Sequence, residues 1–230
     1  MPRRRPRQDP RVARVLVFTR TTDYRHDSIE HAVGVVGGLL RADGHAVEHT
    51  EDPAAFRPDR LADVALVVWL STSGDVLDDV GRDAFASWLA DGGAWAGIHS
   101  ATTSEPSWPE FERIAGARFV DHPDVQPATV RIAAPTHPST GGLPPAWRHT
   151  DEWYNFRSRP GADRTILLTV DEADYAGGTM GDPHPIAWAG AYGDGRTWYT
   201  ALGHEARAYD DPVLRAHLLG GLRSLLEEDG

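Results

Sequence analysis

Cysteine is absent from this chain of 230 residues. That absence excludes disulfides, thiolate metal ligands and thiol nucleophiles together, and it is compatible with a cytoplasmic location. Long apolar runs are missing too. Nothing approaches the roughly 18 consecutive apolar residues of a membrane-spanning helix, so a membrane partner is not expected. No glycine-rich turn follows the first predicted strand, and a nucleotide cofactor is therefore not expected. Positive charge is in the minority, with 23 basic against 34 acidic side chains. The formal net charge of -11 argues against nucleic acid as a partner, since phosphate binding wants a basic face. The basic cluster Arg3-Arg4-Arg5-Pro6-Arg7 is followed by polar residues, not by the apolar core of a secretory signal. Residues 1–12 are expected to form a disordered basic leader, and 13–228 a single domain.

What is present is ordinary for a globular protein, 40% hydrophobic and 25% charged, and long enough to bury a substantial core. Arg14 to Thr19 is a compact apolar run suited to a buried parallel strand. Asp27-Ser28-Ile29-Glu30 has capping-box spacing, and Ile29, Val33, Val36 and Leu40 continue at helical spacing to a stop at Gly44. Ala46–Thr50 reads as a second strand and Asp63–Leu70 as a third, central one. A helix is predicted over Asp75–Ala90, with Leu77, Val80, Ala84, Phe85, Trp88 and Leu89 on one stripe. The fourth strand, Ala94–Ile98, ends abruptly in His99. This alternation implies a parallel sheet with crossover helices.

The middle of the chain is broken by prolines. A helix is predicted over Trp108–Ala115, and Thr129–Ala133 alternates as an edge or antiparallel strand would. Strands are expected again at Thr165–Val170, Pro185–Trp188 and Arg196–Leu202. Hairpin-turn chemistry lies at Ala191–Gly195, and a terminal helix opens at Pro212 with a stripe of Leu214, Leu218, Leu222 and Leu225.

Three of the eleven histidines, His26, His99 and His204, share one topological address just beyond predicted strands. In an open α/β sheet that edge is where ligands bind, and imidazole titrates near neutral pH. Thr72, at the polar exit of the third strand, faces the same crevice. Glu152 and Asp151 stand among Trp153, Tyr154 and Phe156, rings that would desolvate a carboxylate and raise its pKa, which suits it to acid–base work. The other histidines read as structural: His45, His49 and His217 in or beside regular elements, and His122, His137 and His184 before prolines in turns. Most tryptophans are expected in the core, with one or two free to stack on a sugar.

The chain resembles the trehalose-utilisation (ThuA-like) family. The resemblance rests on Tyr-Arg-His-Asp-Ser at 24–28, Gly-Asp-Val-Leu-Asp at 74–78 and Gly-Gly-Ala-Trp-Ala-Gly-Ile-His-Ser-Ala at 92–101. It continues through Thr-Asp-Glu-Trp-Tyr-Asn-Phe at 150–156, Gly-Gly-Thr-Met-Gly at 177–181, His-Pro-Ile-Ala-Trp at 184–188 and Tyr-Thr-Ala-Leu-Gly-His at 199–204. Asp23 departs from the family's usual glycine. The resemblance implies a flavodoxin-like, class I glutamine amidotransferase-like three-layer sandwich with a mostly parallel central sheet and extra antiparallel strands. It places His99 where an amidotransferase keeps its catalytic cysteine, so glutaminase chemistry is excluded.

The resemblance implies carbohydrate metabolism, with trehalose or a 3-keto-glycoside as substrate. His26, His99, Glu152 and His204 are the expected catalytic residues, with Thr72, Asp151 and Tyr154 binding ligand. A 3-keto group acidifies its neighbouring C–H, which a histidine or Glu152 can abstract. The imidazoles of His26, His99 and His204 also suit a divalent metal. The alternative is a non-catalytic carbohydrate-binding or regulatory protein on the same scaffold. A small-molecule carbohydrate is the expected partner, and a homo-oligomer is compatible with everything above.

Overall fold

A computed structural model describes residues 12–227; the leader expected over 1–12 falls, apart from Val12, outside them. In the first half, apolar β-branched runs form β1 (Arg14–Phe18), β2 (Ala46–Thr50), β3 (Leu66–Leu70) and β4 (Ala94–Ile98). Between them lie α1 (Ile29–Ala42), the single turn α2 (Pro58–Leu61) and α3 (Asp79–Ala90). The chain continues through α4 (Glu110–Ala115), β5 (Phe119–Asp121), β6 (Gln126–Ile132), β7 (Ala146–Asp151) and β8 (Asn155–Phe156). It ends with β9 (Thr165–Val170), β10 (His184–Tyr192), β11 (Gly195–Thr200) and α5 (Pro212–Leu226).

Nine strands form one sheet in the order β2-β1-β3-β4-β11-β10-β9-β6-β7. The first five run parallel, and β10, β9, β6 and β7 extend that block as antiparallel strands. β5 and β8 pair separately. The fold class is thus the α/β sandwich with a large, mostly parallel central sheet that the sequence implies. β3 and β4 are buried along their whole length, as strands covered on both faces must be. On one face Trp69 stacks on Phe85 of α3 and Phe111 of α4, at 5.4 and 4.7 Å. On the other, Trp198 packs on His217 of α5, which in turn lies against α1. Gly97 sits in register between Trp69 and Tyr199. A Cβ there would collide with the Trp95 ring and crowd Tyr199.

Three local differences from the sequence reading have physical causes. The capping box at Asp27–Glu30 is not formed, because Ser28 is the N-cap in a helical conformation and the backbone carbonyls of His26 and Ser28 take the first amides. α3 starts at Asp79, not Asp75. The Val76 and Leu77 amides go to the buried Glu105 carboxylate, and Asp78 caps the helix through the Gly81 amide. Val80 is consequently exposed rather than part of the stripe. β6, read as an edge or antiparallel strand, is antiparallel to both its neighbours, β9 and β7.

Candidate active site

The parallel strands deliver their following loops to one rim of the sheet, where ligands sit in open α/β folds. His26 arrives there between β1 and α1, His99 directly after β4, and His204 after β11. Glu152 and Tyr154 come from the connection between β7 and β8. The three histidines expected to be neighbours are neighbours: ring centroids are 4.5 Å apart for His26–His99, 5.3 Å for His26–His204 and 5.4 Å for His99–His204.

His99 is fully buried and has φ of 53°, the left-handed region that ordinary side chains avoid. Two contacts hold it there. The Tyr199 hydroxyl donates to its carbonyl at 2.8 Å, and its own Nδ1–H donates to the Ala201 carbonyl at 2.8 Å. A carbonyl only accepts, so in the neutral ring the lone pair of His99 sits on Nε2, the nitrogen that points into the cluster. The Tyr154 hydroxyl lies 3.0 Å from that nitrogen, as does His26 Nε2. His26 Nδ1 lies 3.4 Å from Ser100 Oγ, an acceptor for its proton whenever Nε2 is bare.

Glu152 Oε2 is 3.0 Å from His204 Nδ1 and 3.6 Å from His99 Nε2. The His204 contact is close but off the line of a hydrogen bond, which leaves a buried ring nitrogen without a hydrogen-bond partner. His26, His99, Glu152 and His204 together offer four donor atoms all within 4.8 Å of one another.

Burial, helped by the other histidines, lowers the His26 pKa to about 3, so its ring is neutral at pH 7. Burial alone would push the Glu152 carboxyl up, as its aromatic flanks predict, but its contacts with His204 and His99 outweigh that and hold it well below the usual range, the reverse of the expected shift. Burial likewise opposes a charged His204, yet the Glu152 carboxylate beside it raises that pKa. Tyr154, buried, is pushed well above an ordinary phenol and stays a neutral donor.

Asp151 lies behind this cluster, completely enclosed. Its Oδ1 accepts from the Glu152 and His204 amides at 2.9 and 3.1 Å, and its Oδ2 from the Gly203 amide at 2.8 Å. His149 Nε2 adds a contact at 3.2 Å. One carboxylate therefore ties together the two segments that carry Glu152 and His204. Thr72 is also fully buried, accepting from the Ser104 hydroxyl at 2.8 Å, and it does not line the cavity described next.

A cavity of about 620 Å³ opens in front of the cluster, lined by His26, Glu152 and Tyr154 together with Tyr24, Arg118, Phe119, His122 and Arg157 among others. That volume is in the range of small-molecule sites. His122 was read as a turn residue; the structure brings its Nε2 to 3.5 Å from Glu152 Oε1. Its signal in the sequence was weak, because the cleft wall that carries it, the β5–β8 ladder, has no long periodic pattern. His184 begins β10 instead of lying in a turn, and its Nε2 bonds the Tyr154 carbonyl at 2.9 Å. No tryptophan lines the cavity among the described residues; its aromatic rings are Tyr24, Phe119 and Tyr154.

An open α/β sheet with a buried histidine–carboxylate cluster beyond its strand ends defines the class of this protein. The family model described as trehalose utilisation matches residues 14–224, and the chain belongs to that ThuA family. Among solved structures, a putative ThuA-like protein from Bacteroides uniformis superposes with a TM-score of 0.82 at 24% identity, over 98% of this chain and 95% of that one. Its counterpart from Parabacteroides merdae gives 0.77 at 23% identity, over 94% and 90%. A cytoplasmic protein from Salmonella typhimurium gives 0.65 at 11% identity, over 91% and 98%, a likeness of fold alone. No curated protein matches the chain in sequence. Among the described residues no helix is long and apolar enough to cross a membrane.

Proposed function

We propose that this chain is an enzyme of carbohydrate catabolism, acting on a trehalose-derived or 3-keto sugar at the His26–His99–Glu152–His204 cluster with a divalent metal bound there. The observation that carries the proposal is the convergence of four donor atoms within 4.8 Å. Three imidazoles and one carboxylate are a donor set that suits zinc and its first-row neighbours. The donors fit as well: in its neutral form His99 turns a bare Nε2 to the cluster, His26 is neutral at pH 7, Glu152 is ionised, and His204, whose proton a cation would have to displace, has an Nδ1 without a hydrogen-bond partner. A bound cation would supply Lewis-acid polarisation of the sugar carbonyl.

The chain's own groups do the rest. Glu152 Oε1 faces the cavity beside His122, in reach of a C–H acidified by a neighbouring ketone. Tyr154 presents a hydroxyl that stays protonated and can donate to a developing oxyanion. All 23 basic residues are arginine, so carbonyl activation through a lysine Schiff base is closed to this chain.

The test is elemental analysis of the purified protein alongside turnover of 3-keto-glycosides, on the parent, His99→Ala and His204→Ala. Stoichiometric metal and turnover, both lost in the variants, are expected. A metal-free parent silent on every keto sugar overturns the proposal in favour of a binding protein.

A further inference from the structure

Buried charges in proteins are paired, because taking an ion out of water is expensive. Arg118 breaks that rule. It is 7% exposed, lines the same cavity as His26 and Glu152, and makes no ion pair among the described residues. Two backbone carbonyls, of Ser104 and Glu105, take one bond from each of its terminal nitrogens, and its guanidinium lies 5.9 Å over the Phe111 ring. The Glu105 carboxylate is turned away, engaged by the Val76 and Leu77 amides and by Arg82. With five N–H donors and two carbonyls met, the Arg118 fork keeps hydrogen-bonding capacity to spare.

A second observation points the same way. β5 and β8 pair antiparallel with Phe119 opposite Phe156, and the Arg157 amide donates to the Arg118 carbonyl at 2.8 Å. The two arginines are therefore direct cross-strand neighbours at the end of the ladder. Like charges placed so destabilise a ladder. Both side chains line the cavity, and only Arg157 has a carboxylate partner, Glu112 at 2.9 Å.

We propose that the Arg118–Arg157 pair is a binding site for an oxyanion carried by the ligand, so that the sugar entering this cleft bears a carboxylate or a phosphate. This rests on the carbohydrate reading of the site and narrows its substrate class to anionic sugars. The guanidinium fork matches either group in a two-pronged contact. His26 and Glu152 of the cluster line the same cavity as the arginine pair, so one ligand can meet both.

The experiment is calorimetric binding at fixed ionic strength with D-glucose 6-phosphate, D-glucuronate and D-glucose, on the parent, Arg118→Gln and Arg157→Gln. At least one anionic probe is expected to bind the parent about tenfold or more tightly than glucose, and Arg118→Gln to erase that preference. The stronger of the two anionic probes identifies phosphate or carboxylate as the group recognised. Arg157 is well exposed, so its variant keeps the test decisive if Arg118→Gln fails to fold; it is expected to weaken the preference.

Cation content measured on the same samples separates this inference from the metal site. A metal-free parent that still prefers the anionic probe defeats only the metal. Equal binding of all three sugars, binding of none, or a preference that survives in both variants overturns the anion site.

Discussion

His26 Nε2 and His99 Nε2 face each other at 3.0 Å across 73 residues of sequence. The sheet order explains how. β1 and β4 both neighbour β3, so their carboxyl ends stand two strand spacings apart, about 10 Å. A ring reaching in from each side closes that gap, and the left-handed backbone at His99 aims its imidazole across it. The cluster is a product of strand order, not of any local motif.

That backbone makes the first prediction. An L-residue in the left-handed region costs about 1 kcal/mol that glycine does not. His99→Gly and His99→Ala both remove the imidazole and its bond to Ala201. Both are expected to lose cation binding, yet the glycine variant should be the more stable by about 1 kcal/mol. Urea midpoints at equal m-values check this. Equal stabilities would mean that residue 99 carries no strain.

Asp151 is the next target. Its two oxygens receive three backbone amides and His149 Nε2. In Asp151→Asn one acceptor oxygen becomes an amino group facing donors, which costs about 2–4 kcal/mol when several buried bonds are lost. Because the Glu152 and His204 amides are held by this one carboxylate, zinc binding should weaken together with stability. A variant that unfolds like the parent and titrates zinc identically would show that the anchor is dispensable.

Acid should weaken the fold through His217. Its Nδ1 donates to the Ser139 carbonyl at 2.9 Å, its Nε2 lacks a hydrogen-bond partner, and burial lowers its pKa to about 4. The unfolded residue titrates near 6.5, as an ordinary histidine does. Between those limits the unfolded chain binds the extra proton, so stability falls as pH falls, by about 1.4 kcal/mol per pH unit for this one group. Denaturant titrations from pH 7 to pH 4 should show a slope shallower by that amount in His217→Gln. An unchanged slope would reassign the acid sensitivity to other groups.

Sequence carried the long-range plan of this protein because the parallel core is written in runs of buried β-branched and aromatic residues. Thr165–Val170, Ala46–Thr50 and the start of α5 at Pro212 fall where the pattern puts them. His26, His99 and His204 are legible for a related reason, since each lies in the connection that follows a parallel strand, and Glu152 is legible from the aromatic residues beside it. What was not legible depends on tertiary partners. His122 and Arg118 lie at the ends of a three-residue strand whose only mate is two residues long, too short for any periodicity. The start of α3 was misjudged because a carboxylate nearly thirty residues downstream takes two of the expected helical amides. That carboxylate, on Glu105, has no signature in the chain around it.

Glu105 supplies the last prediction. It is fully buried, with φ of 56°. Its Oε1 accepts the Val76 and Leu77 amides, each at 2.8 Å, while its Oε2 takes Arg82 Nε at 2.6 Å. Its own amide donates to the Gly74 carbonyl at 2.9 Å, so one residue fixes the whole 74–77 turn. That turn in turn supports the segment leading to His26: Ser73 Oγ donates to the Tyr24 carbonyl, and Thr22 Oγ1 to the Asp75 carbonyl at 3.0 Å.

In Glu105→Gln the side-chain amino group must face either Arg82 or the two backbone amides, donors in both cases, while Arg82 keeps Asp75 and Asp79 as charge partners. Losing the charge-assisted bonds of a buried carboxylate and setting donor against donor costs about 2–4 kcal/mol. The expected outcome is a stability loss of that size, faster hydrogen exchange at the Val76 and Leu77 amides, and weaker cation binding although Glu105 touches none of the four cluster residues. Exchange rates at 76 and 77 matching the parent would show that the turn holds without the carboxylate. Any loss of binding would then need a cause nearer His26.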